Sequence, residues 1–135
     1  MSRSRPSAAP QPEFFFDRCL GKVVANGLRD RGWTIHLIAD TYPDDAQQIE
    51  DVAWMREGIH RGWALLTKDT AIRRRPDEWS AAAGGHLFML SNGNLTAATM
   101  INQIHGHRPQ IDRHIRRSAP GIYVLTPTGI RVHDA

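Results

Sequence analysis

Two aspartates stand directly behind short apolar runs. In "EFFFDRCLG" the run Phe14-Phe15-Phe16 ends in Asp17, and in "WALLTKD" the run Ala64-Leu65-Leu66-Thr67 ends, one lysine later, in Asp69. A lone Asp in such a place is an everyday turn or cap residue. Two in comparable places say more, because like charges held together cost free energy unless a cation joins them. Hard cations such as Mg²⁺ bind through one or two carboxylates plus substrate phosphates, so a third acid is the residue to seek. Asp51 in "DVAWM" is the candidate, one position before Val52 and three before Trp54, at the edge of an apolar helical stripe. A solvated first-turn acid favoured by the helix dipole would explain Asp51 equally well. Thr67 carries a hydroxyl that could bond a carboxylate or a water, or could simply be a β-branched strand residue.

The run Arg73-Arg74-Arg75 follows Asp69 closely. Arg and Lys supply most phosphate contacts to nucleic acids, so this run is the candidate nucleic-acid-binding element. A solvated charge run would look the same. A second basic region holds Arg108, Arg113, Arg116 and Arg117 with His107 and His114, and Arg113 and Arg117 share a helix face at i, i+4. It fits an RNA wall, an acidic partner or a plain exposed face. His105-Gly106-His107 matches no strong zinc spacing. Trp33, Trp54, Trp63 and Trp79 sit in or beside expected elements, where packing is their usual work.

The elements that must position these residues read as an alternation of strands and helices. Strands are expected at 14–17, 33–38, 63–67 and 86–90, and a strand with a hairpin over 121–134 around Pro127-Thr128-Gly129. Helices are expected over 20–31, closed by Gly32, over 46–60, over 76–83 with Pro76 at its first position, over 95–106 with Asn94 as N-cap, and over 109–117. Such alternation implies an α/β fold with a mainly parallel sheet and helices on both faces. Ligands of these sheets bind beyond the carboxyl ends of the strands, where Asp17 and Asp69 would emerge.

The whole chain bounds this reading. Its 135 residues, 41% hydrophobic and 23% charged, suit one globular domain. A net charge of +3 favours an anionic partner without naming one. Cys19 is the single cysteine and cannot close an internal disulfide, which fits a reducing, cytoplasmic setting. The apolar runs are too short for a membrane span. "MSRSRPSAAPQP" has no apolar core after its arginines and reads as a flexible tail over residues 1–12.

Taken together, "FFFDRCLG", "DVAWM" followed by "RGWALLTKD", and "IRRRPDEW" resemble the PIN-like domain family, the fold of metal-dependent ribonucleases that act as toxins in VapBC-type toxin–antitoxin pairs. The likeness runs from Phe14 to Leu90 and more loosely to the end. It implies a three-layer α/β/α PIN-like fold with a mainly parallel central sheet over residues 13–135. It also implies Mg²⁺ or Mn²⁺ as cofactor, hydrolysis of RNA to a 5′-phosphate and a 3′-hydroxyl, and an antitoxin protein as partner, with a homodimer left open. The family's acids fall on Asp17, Asp51 and Asp69. The more familiar PIN toxins carry a fourth acid within a few residues of the third. "TKDTAI" has none, and the nearest substitute is Glu78, beside Asp77.

Other folds also place acids at strand ends. A signalling receiver wants paired acids after the first strand and a lysine after the last, and this chain has one acid there and "YVLTPTG" at the end. A haloacid-type phosphatase wants Asp-x-Asp, where Cys19 stands here. A PIN-like module that binds RNA or a partner without catalysis is the alternative reading.

Overall fold

The computed structural model describes residues 11–42, 51–75 and 84–133, and for Asp51, Arg73 and Arg74 the backbone alone. The tail expected over 1–12, the start of the helix expected over 46–60 and the helix expected over 76–83 lie wholly or largely outside the described residues.

Five strands run parallel: β1 (Glu13–Phe16), β2 (Thr34–Leu37), β3 (Ala64–Thr67), β4 (His86–Leu90) and β5 (Gly121–Leu125). A sixth, β6 (Ile130–Val132), returns antiparallel to β5. The helices are α1 (Gly21–Arg29), α2 (Ile38–Thr41), α3 (Asp51–His60), α4 (Ala97–Gly106) and α5 (Arg108–Arg117), with 3₁₀ turns at Arg18–Leu20 and Thr70–Arg74. The sheet order is β2-β1-β3-β4-β5-β6. Phe14 pairs with Ala64 and Phe16 with Leu66, so β1 and β3 end almost level.

The apolar runs are continuous because both sheet faces are covered. Phe14 and Phe16 join Leu66, Phe88 and Tyr123 in one core, under Val24 and Leu28 of α1 and Met100, Ile104 and Ile111 of α4 and α5. Phe15, pointing the other way, joins Leu65, Leu87, Met89 and Ile122 beneath Ile38, Trp54 and Met55. The result is the expected three-layer α/β/α arrangement. Gly58 lets α3 lie directly on the sheet: a Cβ there would come within 2.6 Å of Leu65 Cδ2 and 2.8 Å of Phe15 Cδ2. Among the described residues no helix is long and apolar enough to cross a membrane.

Some boundaries differ from the sequence reading. Ile38 leaves the strand to open the single-turn α2 and turns into the second core, 2% exposed. Thr96 rather than Asn94 caps α4, its hydroxyl accepting from Thr99 N at 3.2 Å. Asn94 instead donates its N–H to Asn92 Oδ1 at 2.8 Å.

Candidate active site

The topology fixes where the site lies. From β1 the chain crosses to β2 on one side, then returns to β3 on the other. The carboxyl ends of β1 and β3 therefore flank the switch point, the crevice where open α/β sheets take their ligands.

Asp17 is the first residue past β1. Its N–H still bonds Leu66 O at 2.9 Å, which holds it in register with β3, and its carbonyl accepts from Leu20 N at 3.1 Å to open the 3₁₀ turn. The residue is only 7% exposed. A carboxylate this buried needs partners, and Thr67, the fully buried last residue of β3, donates its hydroxyl to Asp17 Oδ2 at 2.8 Å. Of the roles open to Thr67 in the sequence, the structure selects the carboxylate.

The same oxygen, Thr67 Oγ1, accepts from the Asp69 backbone N–H at 3.0 Å. Asp69 then caps the 3₁₀ turn Thr70–Arg74: its Oδ1 accepts from Ala71 N at 3.0 Å, and its Oδ2 accepts from the Arg75 guanidinium at 3.2 Å. A continuous chain of bonds thus runs from Asp17 through Thr67 to Asp69 and Arg75, across β1, β3 and the turn that follows. Gly93, in the loop after β4, closes one flank. A Cβ on it would lie 2.8 Å from Lys68 O, so no larger residue fits without moving the backbone just before Asp69.

Cys19 belongs to the site although no motif announces it: its Sγ lies 3.6 Å from Thr67 Oγ1. The residue is exposed as a whole, but the sulfur faces inward. Burial of the thiol, and then the nearby Asp17 carboxylate, push its pKa up to about 11. A thiol held protonated suits the geometry. The one hydroxyl proton of Thr67 goes to Asp17, so the S–H is left to donate to Thr67 Oγ1.

Two further residues, Arg18 and Lys22, emerge beside Asp17. With Asp17, Phe16, Leu37 and Ile38 they line a cleft of about 210 Å³ between the ends of β1 and β2. Their signal is present in the sequence: two cations four apart, immediately after the first acid.

The other expected site residues divide. Asp51 is the first described residue of α3. That helix feeds the amino end of β3 through Trp63, so its own start lies toward the opposite, carboxyl edge of the sheet. Arg73 and Arg74 lie in the 3₁₀ turn after Asp69, and Arg75 ends it. Glu78 lies outside the described residues. Among the described residues no three His, Cys, Asp or Glu side chains assemble into a metal-sized group.

The remaining basic and histidine residues are largely structural. Arg108 is packed rather than presented, its guanidinium 4.4 Å from the Trp33 ring centre and 5.2 Å from that of Phe14, with Nε on Asp112 at 2.8 Å. Arg113, Arg116 and Arg117 are exposed. His105 Nδ1 accepts from Trp33 Nε1 at 3.0 Å, and His107 Nε2 lies 2.6 Å from Thr126 O. Trp33 and Trp54 are buried in the two cores, and Trp63 packs edge-on to Phe15 and stacks on His36 at 3.8 Å.

Residues 12–92, more than half of the chain, match the family model described as PIN like domain. The match spans β1 to the end of β4 and includes Asp17, Asp51, Asp69 and Glu78. No curated protein and no solved structure matches the chain.

Proposed function

The chain belongs to the PIN-like domain family, whose members are generally nucleases, and from that premise we propose that it is a metal-dependent endoribonuclease, the toxin of a VapBC-type toxin–antitoxin pair. The observation that carries the proposal is the bonded chain Asp17–Thr67–Asp69 at the switch point between β1 and β3.

The donor set suits a hard divalent cation. It offers carboxylate oxygens, one of them buried at the crevice, and Asp69 already attracts a positive group, the Arg75 guanidinium. Asp17 and Asp69 would hold Mg²⁺ or Mn²⁺, with Asp51 as third ligand and Glu78 as the fourth acid. The bound ion would lower the pKa of a water and neutralise charge on the scissile phosphate. Thr67 keeps the Asp17 carboxylate in one orientation. Arg73, Arg74 and Arg75, with Arg18 and Lys22 on the other side of Asp17, supply positive charge for the RNA backbone. The exposed Arg113, Arg116 and Arg117 suit an acidic segment of an antitoxin.

The test is cleavage of RNA by the purified protein with Mn²⁺, with EDTA, and with the Asp17→Asn variant. Cleavage that requires the metal and is lost in the variant supports the proposal. Cleavage that persists in both controls would sink it. A second reading, an RNA- or partner-binding module without catalysis, draws on the double engagement of the Asp69 carboxylate. RNA binding without any Mn²⁺-dependent cleavage would select it.

A further inference from the structure

Asp69 can offer a metal only what its existing bonds leave. Its Oδ1 is held by Ala71 N at 3.0 Å, the bond that caps the turn Thr70–Arg74. That turn is anchored through Ile72, which is fully buried in the second core. Rotating the carboxylate to offer a cation Oδ1 would break the cap. The remaining oxygen, Oδ2, faces Arg75 at 3.2 Å.

We infer that Arg75 is a displaceable placeholder for a divalent cation at Asp69: its guanidinium covers the metal-binding oxygen in the metal-free protein and leaves it when the ion enters. The inference rests on the metal-dependent reading above. Three features favour displacement. The guanidinium and the ion seek the same oxygen with the same sign of charge, so each opposes the other. The side chains of the pair are 45% and 30% exposed, and exposed ion pairs are weak. The Arg75 backbone is fixed independently by its N–H bond to Ile72 O at 3.0 Å, so loss of the contact with Asp69 would not by itself unravel the turn. Displaced from Oδ2, the guanidinium keeps its positive charge near the metal, where it would favour a substrate phosphate.

The test is Mn²⁺ affinity, measured calorimetrically on metal-stripped protein, for the parent and for Arg75→Gln and Arg75→Lys. Removing the placeholder should tighten Mn²⁺ binding by roughly two- to fivefold, the size of a weak exposed pair, with the Lys variant in between. In the intact parent, Mg²⁺ should also shift the Arg75 guanidinium NMR signal, a readout that does not depend on any variant folding. If the parent binds Mn²⁺ and Arg75→Gln binds it equally or more weakly, Arg75 instead orients Asp69, and the inference falls while the metal-dependent reading stands. An unmoved Arg75 signal at saturating Mg²⁺ overturns it too. A parent that binds no divalent ion overturns both.

Discussion

Thr67 donates its hydroxyl to Asp17 across 2.8 Å, joining the last residue of β3 to the first residue beyond β1. The same oxygen accepts the Asp69 N–H and the Cys19 S–H, so replacing it removes three bonds at a buried point. Thr67→Val keeps the shape and deletes the hydroxyl. It should destabilise by about 1–3 kcal/mol, the cost of leaving buried polar groups unmatched. Thr67→Ser should recover most of that loss. Calorimetric melting of the three proteins checks it, and a Val variant as stable as the parent would refute the role given to Thr67.

Asp17→Asn keeps size and the ability to accept from Thr67 while removing a charge. Without metal it should be at least as stable as the parent, since repulsion among the acids is relieved. Mn²⁺ at a hundredfold excess over its Kd should stabilise the parent by about 2.7 kcal/mol and the variant far less. A variant that melts lower without metal yet still cleaves RNA with it would remove Asp17 from the catalytic set.

Replacing Arg73, Arg74 and Arg75 together by Ala should weaken RNA binding and flatten its salt dependence. The log–log slope should fall by about 0.7 for each single-strand phosphate that the protein ceases to neutralise. Lys22→Gln should act in the same direction, by about one phosphate's worth of slope. An unchanged slope in either protein would mark those residues as bystanders.

His114 sits in a cluster with Tyr123 at 4.6 Å between ring centres and bonds Ser118 Oγ through Nδ1 at 2.9 Å. Burial first, then the nearby His86 and Arg113, lower its pKa below the ordinary 6.5. The folded state therefore favours the neutral ring. The stability this contributes is present above pH 6.5 and is lost as pH falls through the lowered folded value. His114→Gln should lose less stability than the parent between about pH 7.5 and about pH 5. Equal losses in thermal melts at the two pH values would assign the acid sensitivity elsewhere.

Much of the sheet was legible because its strands are buried on both faces and so read as unbroken apolar runs ended by polar residues. That is why Asp17 and Asp69 could be placed at one edge. What could not be read were choices settled by three-dimensional partners. Asn94 and Thr96 are both good N-caps, and Thr96 takes the role because its hydroxyl reaches Thr99 N while Asn94 is held by Asn92. In the sequence Arg108 is open to an RNA wall, an acidic partner or a plain exposed face, and only the fold brings Trp33 and Phe14 beneath it. The bond from Arg75 to Asp69 depends on a 3₁₀ turn that no periodicity announces. The thiol of Cys19 reaches Thr67 across 48 positions, beyond any local pattern.

The bond between Thr67 and Asp17 also has a temporal side. It closes a loop of 50 residues in sequence, and the β1–β3 pairing that carries it skips over β2, α1, α2 and α3. Contacts of that span form late and slowly compared with a helix or a hairpin, because the loop entropy must be met before any bond repays it. A chain still emerging from the ribosome with β3 not yet released holds Asp17 and Asp51 but has no Thr67 or Asp69 to organise them. On the proposed function, nuclease competence is then a property of the finished fold, absent until β3 has emerged and paired with β1.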